Sequence, residues 1–141
     1  MSAFVLDASV TLRWLLETDH AKDQNYAWRV LDCLADGEAV VPELWYLEIT
    51  NVLLNAEKEK LTTLLASERF IEQLTALPIR TDALTPGQAF TRTMAIARAA
   101  RLSSYDAAYL ELSVRLGLPI ATLDRDLRKA AGRFDVSILD P

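Results

Sequence analysis

The sequence has few of the side chains that most often hold zinc. It contains one cysteine, Cys33, and one histidine, His20, in 141 residues. A single cysteine excludes an internal disulfide and a multi-cysteine zinc site, and a single histidine excludes a histidine-rich metal site. No apolar run approaches the roughly 18 residues that span a membrane, and Asp7 interrupts the first apolar run too early for a signal peptide. We therefore expect a soluble cytoplasmic protein.

The composition is that of a globular chain, with 51% hydrophobic and 25% charged residues. A chain of this length can bury a core without disulfides, so we expect a single domain over residues 1–141. The net charge of −5 argues, at first sight, against a nucleic-acid partner. The positions of the acidic residues decide what that charge means.

Short apolar runs alternate with helical patterns along the chain. We predict strands at 3–6, 38–41, 77–81, 118–122 and 136–139, and helices at 9–16, 21–35, 43–60, 64–76, 86–100, 105–116 and 125–131. Short runs that are apolar throughout are typical of parallel strands buried on both faces. Their alternation with helices favours a three-layer α/β fold.

Three aspartates are expected at one edge of this sheet. Asp7 and Asp124 follow predicted strands, and parallel strands present their carboxyl ends at the edge where ligands bind. Asp106 begins a helix about 18 Å long, which is long enough to start at that edge and lead back to the next strand. Each aspartate could instead cap a helix. Because three carboxylates would repel one another there, we favour a divalent cation, and oxygen ligands favour Mg²⁺ or Mn²⁺ over zinc.

A fourth acid, Glu48, lies in the otherwise apolar segment 44–54. A buried carboxylate is unfavourable unless it is paired or binds metal, so an ion pair with an arginine and a metal site are both open. Asn51 follows at i+3 on the same helix face and could orient Glu48.

Four segments together resemble the PIN-domain ribonucleases, and more narrowly the VapC-type toxins of bacterial type II toxin–antitoxin pairs. They occur in the order and approximate spacing of that family. They are 5–10 (VLDASV) with Trp14, 42–51 (PELWYLEITN), 104–109 (SYDAAY) and 121–127 (ATLDRDL).

The resemblance implies a five-stranded parallel sheet between helices and an endoribonuclease that depends on Mg²⁺ or Mn²⁺. It also implies a homodimer and a cognate VapB-type antitoxin whose C-terminal segment wraps the toxin. The acidic quartet of the family falls on Asp7, Glu48, Asp106 and Asp124. Supporting positions are Asp126, an additional acid in many members, Thr122, a hydroxyl residue beside the site, and Ser9 and Asn51 within the motifs.

Phosphodiester hydrolysis needs an activated water, charge relief at the phosphate and help for the leaving oxygen. Cations held by carboxylates can supply all three without a histidine. Basic side chains near the C-terminal half could contact RNA phosphates, or simply form a solvated face. They are Arg92, Arg98, Arg101, Arg125, Arg128, Lys129 and Arg133.

A binding module is the alternative from another functional class. The segment 7–11 (DASVT) approximates the Asp-x-Ser-x-Ser signature of metal-dependent adhesion domains, which bind a partner carboxylate and catalyse nothing. That interpretation leaves Glu48 and Asp106 without a role. A receiver domain or a haloacid-dehalogenase-like phosphatase fits less well, because each needs a second acid at the end of the first strand.

Overall fold

The computed structural model describes residues 2–141. Along the chain the elements are β1 (Ala3–Leu6), α1 (Ala8–Thr11), which continues as a 3₁₀ turn (Leu12–Trp14), α2 (Ala21–Cys33), β2 (Glu38–Pro42), α3 (Leu44–Lys58), α4 (Leu64–Thr75), β3 (Ile79–Asp82), α5 (Thr85–Gln88), a π-helical turn (Ala89–Thr93), α6 (Met94–Ala100), α7 (Ser104–Leu116), β4 (Ile120–Ala121) and α8 (Arg125–Arg133).

The sheet of the described chain has four parallel strands in the order β3-β2-β1-β4. The inner strand β1 pairs with β2 on one side and with β4 on the other. Its consecutive residues Phe4, Val5 and Leu6 are all buried, so helices cover both faces of the sheet. The predicted three-layer α/β fold is confirmed.

The prediction of a fifth strand at 136–139 is wrong. This segment forms one isolated parallel bridge, between Ile138 and Ile120. Two backbone hydrogen bonds support the bridge, from Ile120 N to Ser137 O at 2.9 Å and from Leu139 N to Ile120 O at 2.8 Å. Its partner strand β4 is only two residues long, so the ladder cannot extend further.

The predicted helix 86–100 is not continuous. It begins one residue earlier, at Thr85, with Pro86 in its first turn, where the missing amide hydrogen is tolerated. The π-helical turn Ala89–Thr93 then separates α5 from α6. Helix α6 ends at Arg101, which adopts a left-handed conformation with φ 56°. The end of α6 lies beside α8, since Arg133 Nη1 donates to Ala99 O at 3.3 Å.

A buried ion cluster joins the edge strand β3 to α7. The guanidinium of Arg115 donates to both oxygens of Asp82, at 3.0 and 2.9 Å, and to Glu111 Oε2 at 2.8 Å. Glu111 is only 1% exposed, so its charge depends on this partner. The same guanidinium holds the pKa of Asp82 below its ordinary value.

Among residues 2–141, no helix is both long enough and apolar enough to cross a lipid bilayer.

Candidate active site

The four predicted acids come from four elements that meet at the carboxyl edge of the sheet. Asp7 directly follows β1, and Asp124 is the N-cap of α8, just after β4. The adjacency of these two strands continues past β1, since Asp7 N donates to Ala121 O at 3.0 Å. Asp106 lies in the first turn of α7, and Glu48 lies in α3.

The charges of these acids act on one another. Burial is the main cause of the raised pKa of Asp7 and of Glu48, and neighbouring charges add to it: that of Asp124 at Asp7, and those of Asp7 and Asp106 at Glu48. Such effects require the carboxylates to be neighbours in space, because Coulomb interactions weaken with distance and with solvent. The four predicted acids therefore lie within electrostatic range of one another at this edge, and together they are called the acidic cluster.

Asp7 is the most firmly held member of the cluster. It is 5% exposed, and its Oδ2 accepts hydrogen bonds from Ser9 Oγ at 2.6 Å and Thr122 Oγ1 at 2.7 Å. Burial raises the pKa of Asp7, while these two hydroxyls lower it. Asp7 makes no side-chain cap bond to α1, so helix capping does not explain its position.

Thr122 connects two of the acids. Its hydroxyl donates to Asp7 and accepts a hydrogen bond from the backbone amide of Asp124 at 3.0 Å. Ser9 makes a similar link, because its hydroxyl also accepts from Leu123 N at 3.0 Å. Thr122 and Ser9, two of the four predicted supporting residues, thus contact the cluster.

Glu48 is held by a residue that the sequence analysis missed. The hydroxyl of Tyr109, a side chain that is 0% exposed, donates a hydrogen bond to Glu48 Oε1. Burial raises the pKa of Glu48, and this hydrogen bond lowers it. Burial also raises the pKa of Tyr109, which keeps the phenol protonated and able to donate. One signal was available: Tyr109 lies at i+3 from Asp106, and buried tyrosines usually seek a polar partner.

The side-chain hydrogen bond that Glu48 accepts comes from Tyr109 and not from Asn51, so an orienting role of Asn51 stays a prediction. Asn51 is exposed on α3, whereas Glu48 is half-buried and turned toward Tyr109 on α7. The two side chains are close in helical spacing, but the hydroxyl on the neighbouring helix satisfies the carboxylate. Within residues 2–141, the alternative ion pair between Glu48 and an arginine is not formed either.

The carboxyl group of Asp106 ionises less readily than that of an ordinary aspartate. Its pKa is raised from 3.8 to about 6, first by burial, then by the charges of Asp124 and Asp7, with a smaller effect from Asp126. Its backbone amide donates to Ser103 Oγ at 3.1 Å, which caps α7. A carboxyl group that resists ionisation in the absence of a cation gains most when one binds.

Asp124 is the N-cap of α8, which is one of the two roles considered for it. Its Oδ1 accepts from Leu127 N at 2.9 Å, so it caps α8 as one interpretation predicted. A single cap bond uses one oxygen and leaves a second for another ligand. Asp126, two residues later, is exposed, and its effect on the pKa of Asp106 places it at the margin of the cluster.

The donor set fits a hydrated divalent cation. In the part of the chain that the structure describes, no group of three or more His, Cys, Asp or Glu side chains is placed to hold a metal ion, so a cation here would have at most two carboxylate ligands at a time and water for the rest. Protein donors already occupy one oxygen each of Asp7, Glu48 and Asp124. Mg²⁺ commonly keeps several waters and uses only one or two carboxylates, so this arrangement suits it better than a closed cage would.

Arg128, one of the residues expected to contact RNA phosphates, makes its contacts within the protein. Arg128 Nε donates to Thr122 O at 2.6 Å, and its guanidinium lies 4.7 Å from the centre of the Tyr26 ring. The side chain of Arg128 thus stabilises the segment just after β4 that carries Thr122, and it is not among the residues that we propose to contact RNA.

Comparisons with known proteins place this geometry in a family. The crystal structure of PAE2754 from Pyrobaculum aerophilum superposes with a TM-score of 0.63 at 18% sequence identity, covering 92% of this chain and 84% of that one. This likeness shows the fold. No curated protein matches the chain significantly.

The family model of the PIN domain matches residues 4–133, which include all four acids. PIN domains are generally nucleases and typically use divalent metals. The adhesion-module alternative gains no support from these comparisons. The chain belongs to the PIN domain family.

Proposed function

We propose that this protein is a Mg²⁺- or Mn²⁺-dependent endoribonuclease that hydrolyses RNA phosphodiester bonds with Asp7, Glu48, Asp106 and Asp124 at its catalytic site. The observation that supports this most is the position of these acids at one edge of the sheet, where burial and then the charges of Asp124 and Asp7 raise the pKa of Asp106 to about 6. Carboxylates arranged at this energetic disadvantage in a nuclease family are suited to bind a cation.

A bound divalent cation would supply charge relief at the phosphate and a more acidic water. The residues around the four acids hold those carboxylates in place and orient them. The carboxylate of Asp7 has a fixed orientation, because Ser9 and Thr122 each donate a hydrogen bond to its Oδ2. Thr122 sets the position of Asp124 relative to Asp7, and Tyr109 sets that of Glu48. Glu48, Asp106 and Asp124 are half-buried, so solvent and substrate can reach them, whereas Asp7 is buried.

The reaction is tested by incubating the purified protein with mixed cellular RNA in Mg²⁺, in Mn²⁺ and in excess EDTA. We expect fragments with either metal and none with EDTA. Asp7→Asn should abolish cleavage at nearly constant side-chain size. Asp36→Asn, which changes an exposed aspartate beyond α2, is the matched control and should cleave normally. Metal-dependent cleavage that persists in Asp7→Asn contradicts the assigned site.

We further propose that the protein acts in the cytoplasm as the toxin of a type II toxin–antitoxin pair. The supporting feature is an apolar groove between α3 and α4. Two adjoining cavities of about 330 and 270 Å³ share Thr50 and Ile71 as lining residues. Exposed leucines such as Leu64, which is 65% exposed, extend the apolar surface. Exposed apolar surface of this kind commonly marks a protein interface.

The occupant that we propose for this groove is an amphipathic helix of a VapB-type antitoxin. The groove accepts apolar side chains, and its walls carry Glu57 and Glu68. A helix with leucine-like anchors and flanking lysine or arginine side chains would complement both features. Co-purification with a basic protein from the same operon tests this directly. Ile71→Asp should abolish the complex while RNA cleavage persists, and a complex that survives the substitution contradicts the assignment.

The toxin hypothesis also includes a homodimer. Light scattering on the purified protein measures its mass in solution. A mass of two chains supports the proposal, and a single-chain mass at all concentrations contradicts it. Growth arrest on expression, relieved by Asp7→Asn, is the matching result in cells.

A further inference from the structure

A basic cleft of about 540 Å³ lies between the end of α6 and helix α8. Its polar lining residues are Arg101, Lys129, Arg133 and Asp126, and Ala100 and Ala130 complete the wall. Three positive charges therefore face one negative charge in a chain whose net charge is −5. The two alanines leave room for a ligand to approach the side chains closely.

The cleft adjoins the acidic cluster. Asp126 lines the cleft and follows Asp124 by two residues in the first turn of α8. A polyanion that occupied the cleft would reach the catalytic acids with its next units.

Arg101 enters the cleft from the end of α6. It is the C-cap of that helix, with φ 56° and ψ 43°, and its side chain is exposed and lines the cleft.

Arg133 spans the cleft from the opposite side. Its Nη1 donates to Ala99 O at 3.3 Å, which ties the end of α8 to the end of α6. Arg101, Lys129 and Arg133 therefore converge from two helices that a hydrogen bond holds together. Guanidinium groups arranged in this way match the geometry of phosphate oxygens.

We propose that this cleft binds a backbone phosphate of single-stranded RNA next to the scissile phosphate, an inference that rests on the proposed nuclease function. The catalytic acids repel the RNA backbone, and the cleft offsets that repulsion on the adjoining nucleotide. The structure thereby separates the basic residues by role: Arg101, Lys129 and Arg133 contact phosphate, and Arg128 supports Thr122.

Binding is measured by fluorescence anisotropy with a short, labelled single-stranded RNA in excess EDTA, so that cleavage does not interfere. The variant Arg101→Gln/Lys129→Gln/Arg133→Gln should bind on the order of tenfold more weakly than the wild type. The slope of log affinity against log salt should fall by about 0.7 for each RNA phosphate that the variant no longer neutralises. Lys22→Gln, an exposed residue of α2, is the control and should bind as the wild type does.

Circular dichroism of each variant confirms folding. If the triple variant does not fold, the three single substitutions provide the same comparison, each with a smaller decrease in affinity. Unchanged affinity and salt slope in folded cleft variants overturn the proposal, as does a wild type that does not bind the RNA.

Cleavage assays separate this proposal from the nuclease assignment. In Mg²⁺, the cleft variants should show a raised KM and a nearly unchanged kcat. If the wild type cleaves RNA and the cleft variants bind RNA as the wild type does, the cleft proposal is contradicted and the nuclease assignment is not. Cleft-dependent RNA binding without any wild-type cleavage supports the binding site and contradicts the nuclease.

Discussion

The hydroxyl of Tyr109 on α7 donates a hydrogen bond to Glu48 Oε1 on α3. The two residues are 61 positions apart in the sequence, and Asp106, another member of the cluster, lies one turn before Tyr109 on α7. The same helix thus carries one of the acids that we propose to be catalytic and hydrogen-bonds to a second.

Tyr109→Phe should weaken metal binding and leave the fold intact, because the ring that fills the core remains. Removing an orienting hydrogen bond from a metal-site carboxylate typically lowers metal affinity by about tenfold or more. Electron paramagnetic resonance of Mn²⁺ titrated into the protein measures that affinity. Tyr46→Phe, which removes a hydroxyl bonded to exposed Thr81 at 2.6 Å, is the matched control. Equal Mn²⁺ affinity in the two variants would exclude a positioning role for Tyr109.

Thr122→Val should destabilise the protein by about 1–3 kcal/mol, the usual penalty for leaving a buried polar group without its partner. The hydroxyl of Thr122 satisfies both Asp7 Oδ2 and the amide of Asp124, and valine has nearly the same shape. Urea denaturation gives the free energy of unfolding. Thr122→Ser keeps the hydroxyl and should be destabilised much less. A valine variant as stable as the wild type shows that the hydroxyl is dispensable.

The stability of the metal-free protein should fall as pH rises from about 4 to 6. The pKa of Asp106 is raised from 3.8 to about 6 in the folded state, so the native protein binds a proton that the unfolded chain releases. Proton linkage then favours the unfolded state as pH increases through this window. Thermal melts in EDTA should show a shallower decline for Asp106→Asn, whose side chain does not ionise. Parallel curves for the two proteins contradict the shifted pKa.

The raised pKa of Asp106 also predicts how stabilisation by Mg²⁺ depends on pH. Because Mg²⁺ relieves repulsion among ionised carboxylates, it should raise the melting temperature more at pH 7 than at pH 5. The increase at pH 7 should also be smaller in Asp106→Asn than in the wild type. An increase that does not depend on pH or on Asp106 assigns the stabilising ion to another place.

Arg115→Ala should destabilise the protein by about 3–5 kcal/mol, since it leaves the buried charges of Asp82 and Glu111 unpaired. The exposed pair of Arg80 and Glu38, 3.1 Å apart, is a natural comparison. Arg80→Ala should destabilise the protein by no more than about 1 kcal/mol, as is usual for surface pairs. Denaturant titrations measure both, and similar effects of the two substitutions contradict the role of the buried cluster.

The gathering of the aspartates could be predicted because it follows from chain direction. Asp7 and Asp124 follow parallel strands, and the length of α7 returns Asp106 to the same edge. The contacts that orient the acids could not be predicted in this way. The hydrogen bond from Tyr109 to Glu48 joins α7 to α3. The i+3 spacing within α3 had pointed to Asn51 instead.

The missing fifth strand has a similar cause. The segment 136–139 has the apolar pattern of a strand, but pairing depends on the neighbour. Strand β4 has only two residues, so Ile138 finds a single bridge partner in Ile120. A sequence pattern reports what a segment can form, whereas the partner strand sets how far the ladder extends.

The most direct measurement is an anomalous difference map from crystals soaked in Mn²⁺. A strong peak among the carboxylates of Asp7, Glu48, Asp106 and Asp124, with waters completing the coordination, is the predicted result. No peak at these side chains under saturating Mn²⁺, or a peak only elsewhere on the protein, would contradict the claim that they form a cation site.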